Sequence, residues 1–362
     1  MKHLFIILLF AIGINVYSQN KVIVGKPIVD KRIELLSIVF RLAGNQEYSA
    51  TKFKRYTDDI ESYFAPYKNH KLIRFAKELH EKRSIGFDAV MTMAISIEGM
   101  PHFKLLVQNA NTHLEDRWRN KDVVKFIKLL NSFYLDAHCS EFFKAHEELY
   151  RTLPERFDKV YTNLDINWYE KFYGKKLNEN FLIINSLANG GSNYGLHIES
   201  ESGNKTVYAI IGTWTVDSVG LPSYDINNYF PFLLHEFNHS FVNYLTDNNK
   251  FQLEESGSII FKKVEQNMRK HAYANWNTML SEALVRAAVI KYLKDHNATD
   301  EIVQKETANQ INRGFIWIRD LVKELEYFDK NRDKYPTLES YMPQLIQFYN
   351  KVALNIDIYK TE

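Results

Sequence analysis

The run from Asn227 to Leu245, NNYFPFLLHEFNHSFVNYL, constrains the fold more than any other part of the chain. Leu234, Phe237, Phe241 and Leu245 recur at helical intervals, so the segment has to be an amphipathic helix that buries that face. The asparagines at its start are available as N-caps, and Pro231 is placed in the first turn. Inside the run stands His235-Glu236-Phe237-Asn238-His239. Side chains at i and i+4 stack on one side of a helix, so both imidazoles can reach a single metal ion while Glu236 lies beside it.

Catalytic zinc usually takes three protein ligands and keeps a fourth position for water, so a third ligand is expected downstream. The best placed is Glu282, in TMLSEALVRAAVIKYL from Thr278 to Leu293, a second helical run whose Ala, Leu and Val content suits packing against the first. Glu254 and Glu255 are nearer in sequence. Their surroundings, FQLEESGSII, contain a glycine and no long apolar run, which reads as solvated charge beginning or flanking a connecting element. With Zn2+ as the cofactor, Glu236 is placed to take a proton from the water and return it to a leaving amine.

An oxyanion stabiliser is also expected, because negative charge develops on the carbonyl oxygen under attack. Tyr273, ahead of the glutamate helix in KHAYANWNTMLSEA, is the favoured candidate, with His271 behind it. Arg286, one turn after Glu282, can orient that carboxylate or serve as a solvated helix charge.

Residues 1–18 carry Lys2, the apolar stretch LFIILLFAIGI and a small residue at Ser18, which reads as a secretory signal peptide with the mature chain starting at Gln19. The apolar stretch is about 11 residues long, short of the roughly 20 that a membrane span needs. The expected location is therefore periplasmic or secreted, with no stable membrane insertion after cleavage. Cys139 is the sole cysteine, so the chain can form no internal disulfide and its stability has to come from a large core. Lys and Arg number 46 against 44 Asp and Glu, a balance that offers no attraction for nucleic acid or an anionic surface.

The organisation reads as a helical N-terminal region over 19–165, a catalytic core over 166–300 and a helical C-terminal region over 301–362. KRIELLSIVFRLAG, NHKLIRFAKELHEKR and KDVVKFIKLLNSFYLDA show helical periodicity in the first, and INRGFIWIRDLVKELEYF and LESYMPQLIQFYNKVAL in the last. His138 and His146, in DAHCSEFFKAHEEL, are too far apart along one helix to share a metal. NFLIINSL, SNYGLHIES and KTVYAIIGTWTV, separated by Gly and Asn, read as short strands. The stretch from Lys205 to Val216 is the candidate edge strand for binding an extended peptide.

HEFNHSFVNYL together with SEALVRA resembles the gluzincin metallopeptidases, specifically over about Asn189 to Leu293, and the whole pattern resembles an exported bacterial family of unknown function. The resemblance implies an α+β, predominantly helical fold with a zincin-like core, a small sheet and an active-site helix. It further implies His235, His239 and Glu282 as zinc ligands, Glu236 as the catalytic base and a peptide or protein substrate, and Tyr273, as a tyrosine ahead of the glutamate helix, is compatible with it as a second catalytic residue. A noncatalytic zincin-like binding protein of the cell envelope and a zinc amidase acting on cell-wall or glycan-linked amides are the alternatives.

Overall fold

The computed structural model describes residues 24–106, 114, 116–200, 203–271 and 273–359. The leader expected over 1–18 lies outside them. The architecture is α+β and predominantly helical. Helices α1 (Lys31–Leu42), α2 (Lys54–Tyr63), α3 (Lys71–Arg83) and α4 (Phe87–Ile95) come first, followed by a small hairpin of β1 (Ile97–Glu98) and β2 (Lys104–Leu105). Next are α5 (Asn120–Asp136), α6 (Cys139–Ala145), α7 (Glu147–Thr152), α8 (Asp158–Tyr161) and α9 (Ile166–Tyr173). Strands β3 (Asn180–Ser186), β4 (Tyr194–Glu199) and β5 (Lys205–Gly212) precede α10 (Ile226–Asn248), α11 (Lys250–Lys270) and α12 (Trp276–Asp295). The chain closes with α13 (Asp300–Asn312), α14 (Ile318–Lys330) and α15 (Leu338–Leu354).

The three-stranded sheet has the order β3-β5-β4, with β5 parallel to β3 and antiparallel to β4. The strand expected at the edge is thus the central one, a correction with a physical reason. KTVYAIIG is apolar on both faces because both are covered: Val207, Ala209 and Ile211 face the core built by α10, α12, α14 and α15, while Tyr208 and Ile210 face the core of the N-terminal helices. A near-continuous apolar run is the mark of such a doubly covered strand. Residues 24–28 run beside β3, with Gly25 N–H bonded to Phe181 O and Ile28 N–H to Ile183 O, so that edge is occupied. The edge on the far side belongs to β4.

Local chemistry explains the helix ends that position the site. Asp225 caps α10, its carboxylate accepting from the Asn228 N–H, so the asparagines fall inside the first turn and Pro231 lies in the helix interior. Asn275 caps α12 through the Thr278 N–H, and Thr299 caps α13 through the Ile302 N–H. The element connecting the motif helix to the glutamate helix is itself the long helix α11, which the glycine in FQLEESGSII had disguised. Gly257 sits there against the Trp276 ring, a close approach that leaves no room for a side chain. INRGFIWIRDLVKELEYF is split between α13 and α14 at Gly314, and DAHCSEFFKAHEEL between α6 and α7.

Candidate metal centre

α10 supplies His235, Glu236 and His239 from its middle, and α12, packed against it, supplies Glu282 and Arg286 one turn apart. Every residue of α12 from Met279 to Leu293 is buried, as expected for a helix enclosed on all sides. The packing brings three ligand atoms together. His235 Nε2 and His239 Nε2 stand 3.1 Å apart, and each lies 3.5 Å from a different oxygen of Glu282. Donors held about 2.0–2.1 Å from a tetrahedral ion are about 3.3 Å from one another, so the spacing fits a single cation among them. The sequence-derived trio thus forms one group, all of its ligand atoms within 4.8 Å, that can hold a metal. Glu254 and Glu255 are exposed on α11 and take no part.

A second ring of partners fixes these side chains. The Asn243 Oδ1 lies 3.0 Å from His239 Nδ1 and accepts from Ser281 Oγ at 2.9 Å, which calls for a proton on Nδ1 and leaves the Nε2 lone pair turned to the cluster. Arg286 donates to Glu282 Oε2 at 2.9 Å, to Gln310 Oε1 at 2.9 Å and to the Tyr273 hydroxyl at 2.5 Å. The Phe315 and Tyr273 rings flank that guanidinium at 5.2 and 5.8 Å. Tyr273 donates in turn to Glu282 Oε2 at 2.9 Å, so it belongs to the cluster. His271 stands exposed at the end of α11, outside it.

Electrostatics separates the two carboxylates. Burial works against the charged form of Glu282, but the His235 ring, the Arg286 guanidinium, the His239 ring and the Tyr273 hydroxyl around it outweigh burial and hold the carboxyl well below its ordinary range. Among the described residues no cation forms an ion pair with Glu236. Burial and the charge of Glu282 push it well above the usual carboxylate range, against the pull of Arg286 and of the Gly195 N–H. Burial also lowers His235, which favours the neutral imidazole that a metal requires.

Glu236 stays outside the ligand trio and faces β4 instead. A Cβ built on Gly195 would stand 2.2 Å from the Glu236 carbonyl oxygen, so only glycine allows the strand to lie this close to the helix. Sequence reasoning missed Gly195, although a glycine inside a strand pattern signals close backbone approach. It also missed Asn243, which was legible as one turn beyond His239, and Gln310, for which no local signal exists. His138 pairs with Glu141 and His146 with Asp59, each remote from the cluster.

The fold and the cluster define a predominantly helical α+β protein with a largely buried His-His-Glu group that could hold a metal ion. The chain belongs to the DUF4932 family, a domain of unknown function whose model matches residues 27–348. No match was found among curated proteins or solved structures. Among the described residues, no helix is long and apolar enough to cross a membrane.

Proposed function

We propose that this protein is an exported zinc metallopeptidase of the gluzincin type, with the leader over residues 1–18 as the support for export. One observation carries the reading: the ligand atoms of His235, His239 and Glu282 converge at 3.1–3.5 Å while Glu236 lies buried beside them without joining. A purely structural site has no use for an acid there.

When bound, zinc supplies Lewis acidity that polarises a carbonyl and makes water nucleophilic near neutral pH. The residues of the chain do the rest. Glu236 takes the proton from the attacking water and passes it to the leaving nitrogen, a task suited to a carboxyl whose proton affinity burial has raised. Tyr273 places a neutral hydroxyl donor on Glu282 itself, and we assign that hydroxyl to the oxyanion, with Arg286 keeping Glu282 aligned as it turns away.

An extended substrate has a strand to pair with. The Gly195 N–H is turned toward Glu236 and so away from β5. β4 forms the far edge of the sheet, and we assign that edge to pairing with an extended peptide. The reading is tested by incubating zinc-loaded protein with a broad peptide library: chelator-sensitive cleavage is expected, and an uncut library rejects it.

A further inference from the structure

A cleft of about 450 Å³ opens beside His235 between α10, α12 and α13, within the size range of ligand pockets. One wall is apolar, with Trp214 stacked on Tyr229 at 3.7 Å between ring centroids and Phe232 beside it. The other holds two guanidinium groups, Arg286 and Arg313. Arg286 is spent on Glu282, Tyr273 and Gln310, though its Nε is buried with no partner among the described residues. Arg313 is different.

Arg313 is held in place by its backbone. It is the last residue of the α13 end, followed by Gly314 at φ +108°, and the turn closes with Phe315 N–H on Gln310 O and Gly314 N–H on Ile311 O. The same turn thus sets Gln310, which engages Arg286, and Arg313, which lines the cleft. Half-buried, Arg313 forms no hydrogen bond or ion pair with any described residue. Glu306, which accepts from the Gln310 amide, and Glu282 attract it through space without an ion pair, and Glu301 is exposed. A cation kept half out of water with no anion hydrogen-bonded to it among the described residues leaves its donors open to an anionic partner.

We infer that this cleft is a substrate subsite for a carboxylate, and that Arg313 is the specificity-determining residue that binds it, through a charge-assisted and readily bidentate contact. The inference deepens the peptidase reading by naming its substrate class: peptides that present a carboxylate on the His235 side of the reacting bond. That carboxylate is either the free C-terminus or an Asp or Glu side chain.

The test measures binding, independent of turnover. Zinc-loaded E236Q protein is titrated with N-dansylated tetrapeptides of Ala and Leu, as free acids and as carboxamides, and with carboxamides carrying Glu or Gln at each position in turn. Acid over amide assigns the C-terminus, and Glu over Gln assigns a side chain. Either preference should reach about tenfold, vanish with Arg313→Gln, survive in part with Arg313→Lys and sharpen with Glu306→Gln. Equal binding of charged and neutral probes, no binding of either, or a preference that persists in R313Q with an unchanged melting curve overturns the inference. Wild-type protein given the same peptides separates the two ideas. Charge-selective binding without any cleavage removes the peptidase and leaves the subsite, whereas cleavage without charge preference does the reverse.

Discussion

The hydroxyl of Tyr273 donates to Oε2 of Glu282 at 2.9 Å and accepts from Arg286 at 2.5 Å, so it bridges a ligand candidate and that ligand's own cation. Because Arg286 holds the same oxygen directly, Glu282 keeps its orientation when the hydroxyl is removed. Tyr273→Phe should therefore lower kcat about a hundredfold while metal affinity stays within about an order of magnitude. Parallel kinetics and zinc titration check this. A kcat equal to wild type at saturating zinc, with zinc affinity weakened more than tenfold, would make Tyr273 a positioning residue only.

Glu236 makes a different kind of prediction, since it lies outside the trio of ligand atoms. Glu236→Gln keeps the shape and should retain bound zinc within about tenfold, while kcat falls by about 10²–10⁴. Metal content and single-turnover hydrolysis measured on the same sample decide it. A variant that still cleaves peptides removes Glu236 from the mechanism.

Gly195 and the Glu236 carbonyl permit no side chain between them. Gly195→Ala should push β4 off α10, costing about 1–3 kcal/mol by denaturant titration and reducing kcat/KM as the strand edge and the base lose register. A variant as stable and as active as wild type would show that the close approach has no role.

Far from the site, Glu34 of α1 is fully buried at the end of β3, where Ser186 Oγ and Leu187 N–H both donate to Oε1, at 3.0 and 2.8 Å. Burial pushes its carboxyl from 4.5 up to about 7, and those bonds offset only part of the rise. The folded protein then holds a proton that the unfolded chain releases. Its stabilising contribution is complete below about pH 4.5 and is lost as pH climbs through 7, for a total near ~3 kcal/mol. Glu34→Gln, which keeps an acceptor at Oε1, should flatten this dependence and be the more stable form at pH 8. Denaturation at pH 5 and pH 8 reads the difference, and parallel pH profiles for the two proteins would contradict it.

Much of the site was legible because its chemistry is local. His235 and His239 are one turn apart, and Glu282 lies in a run too apolar to be anything but a buried helix. Strand order was not, because covering β5 depends on what the distant N-terminal helices pack against. Its unbroken apolar run did carry that information, whereas Tyr194–Glu199 mixes exposed and buried positions as an edge strand does. The glycine in α11 misled because an isolated glycine is tolerated in a helix when a neighbour needs the space. Gln310 and Arg313 reach the cleft only through a turn that joins α13 to α14, and no pattern around Glu282 announces them.

The central claim is that two imidazoles and the Glu282 carboxylate share one divalent ion. Zinc titration of metal-stripped protein tests it most directly, with wild type compared against H235A, H239A, E282A and the exposed pair E254A/E255A. The account predicts one saturable zinc ion in wild type and in E254A/E255A, with affinity weakened about a hundredfold or more in each of the other three. Zinc bound as tightly by E282A as by wild type, or no saturable zinc in wild type, would contradict it.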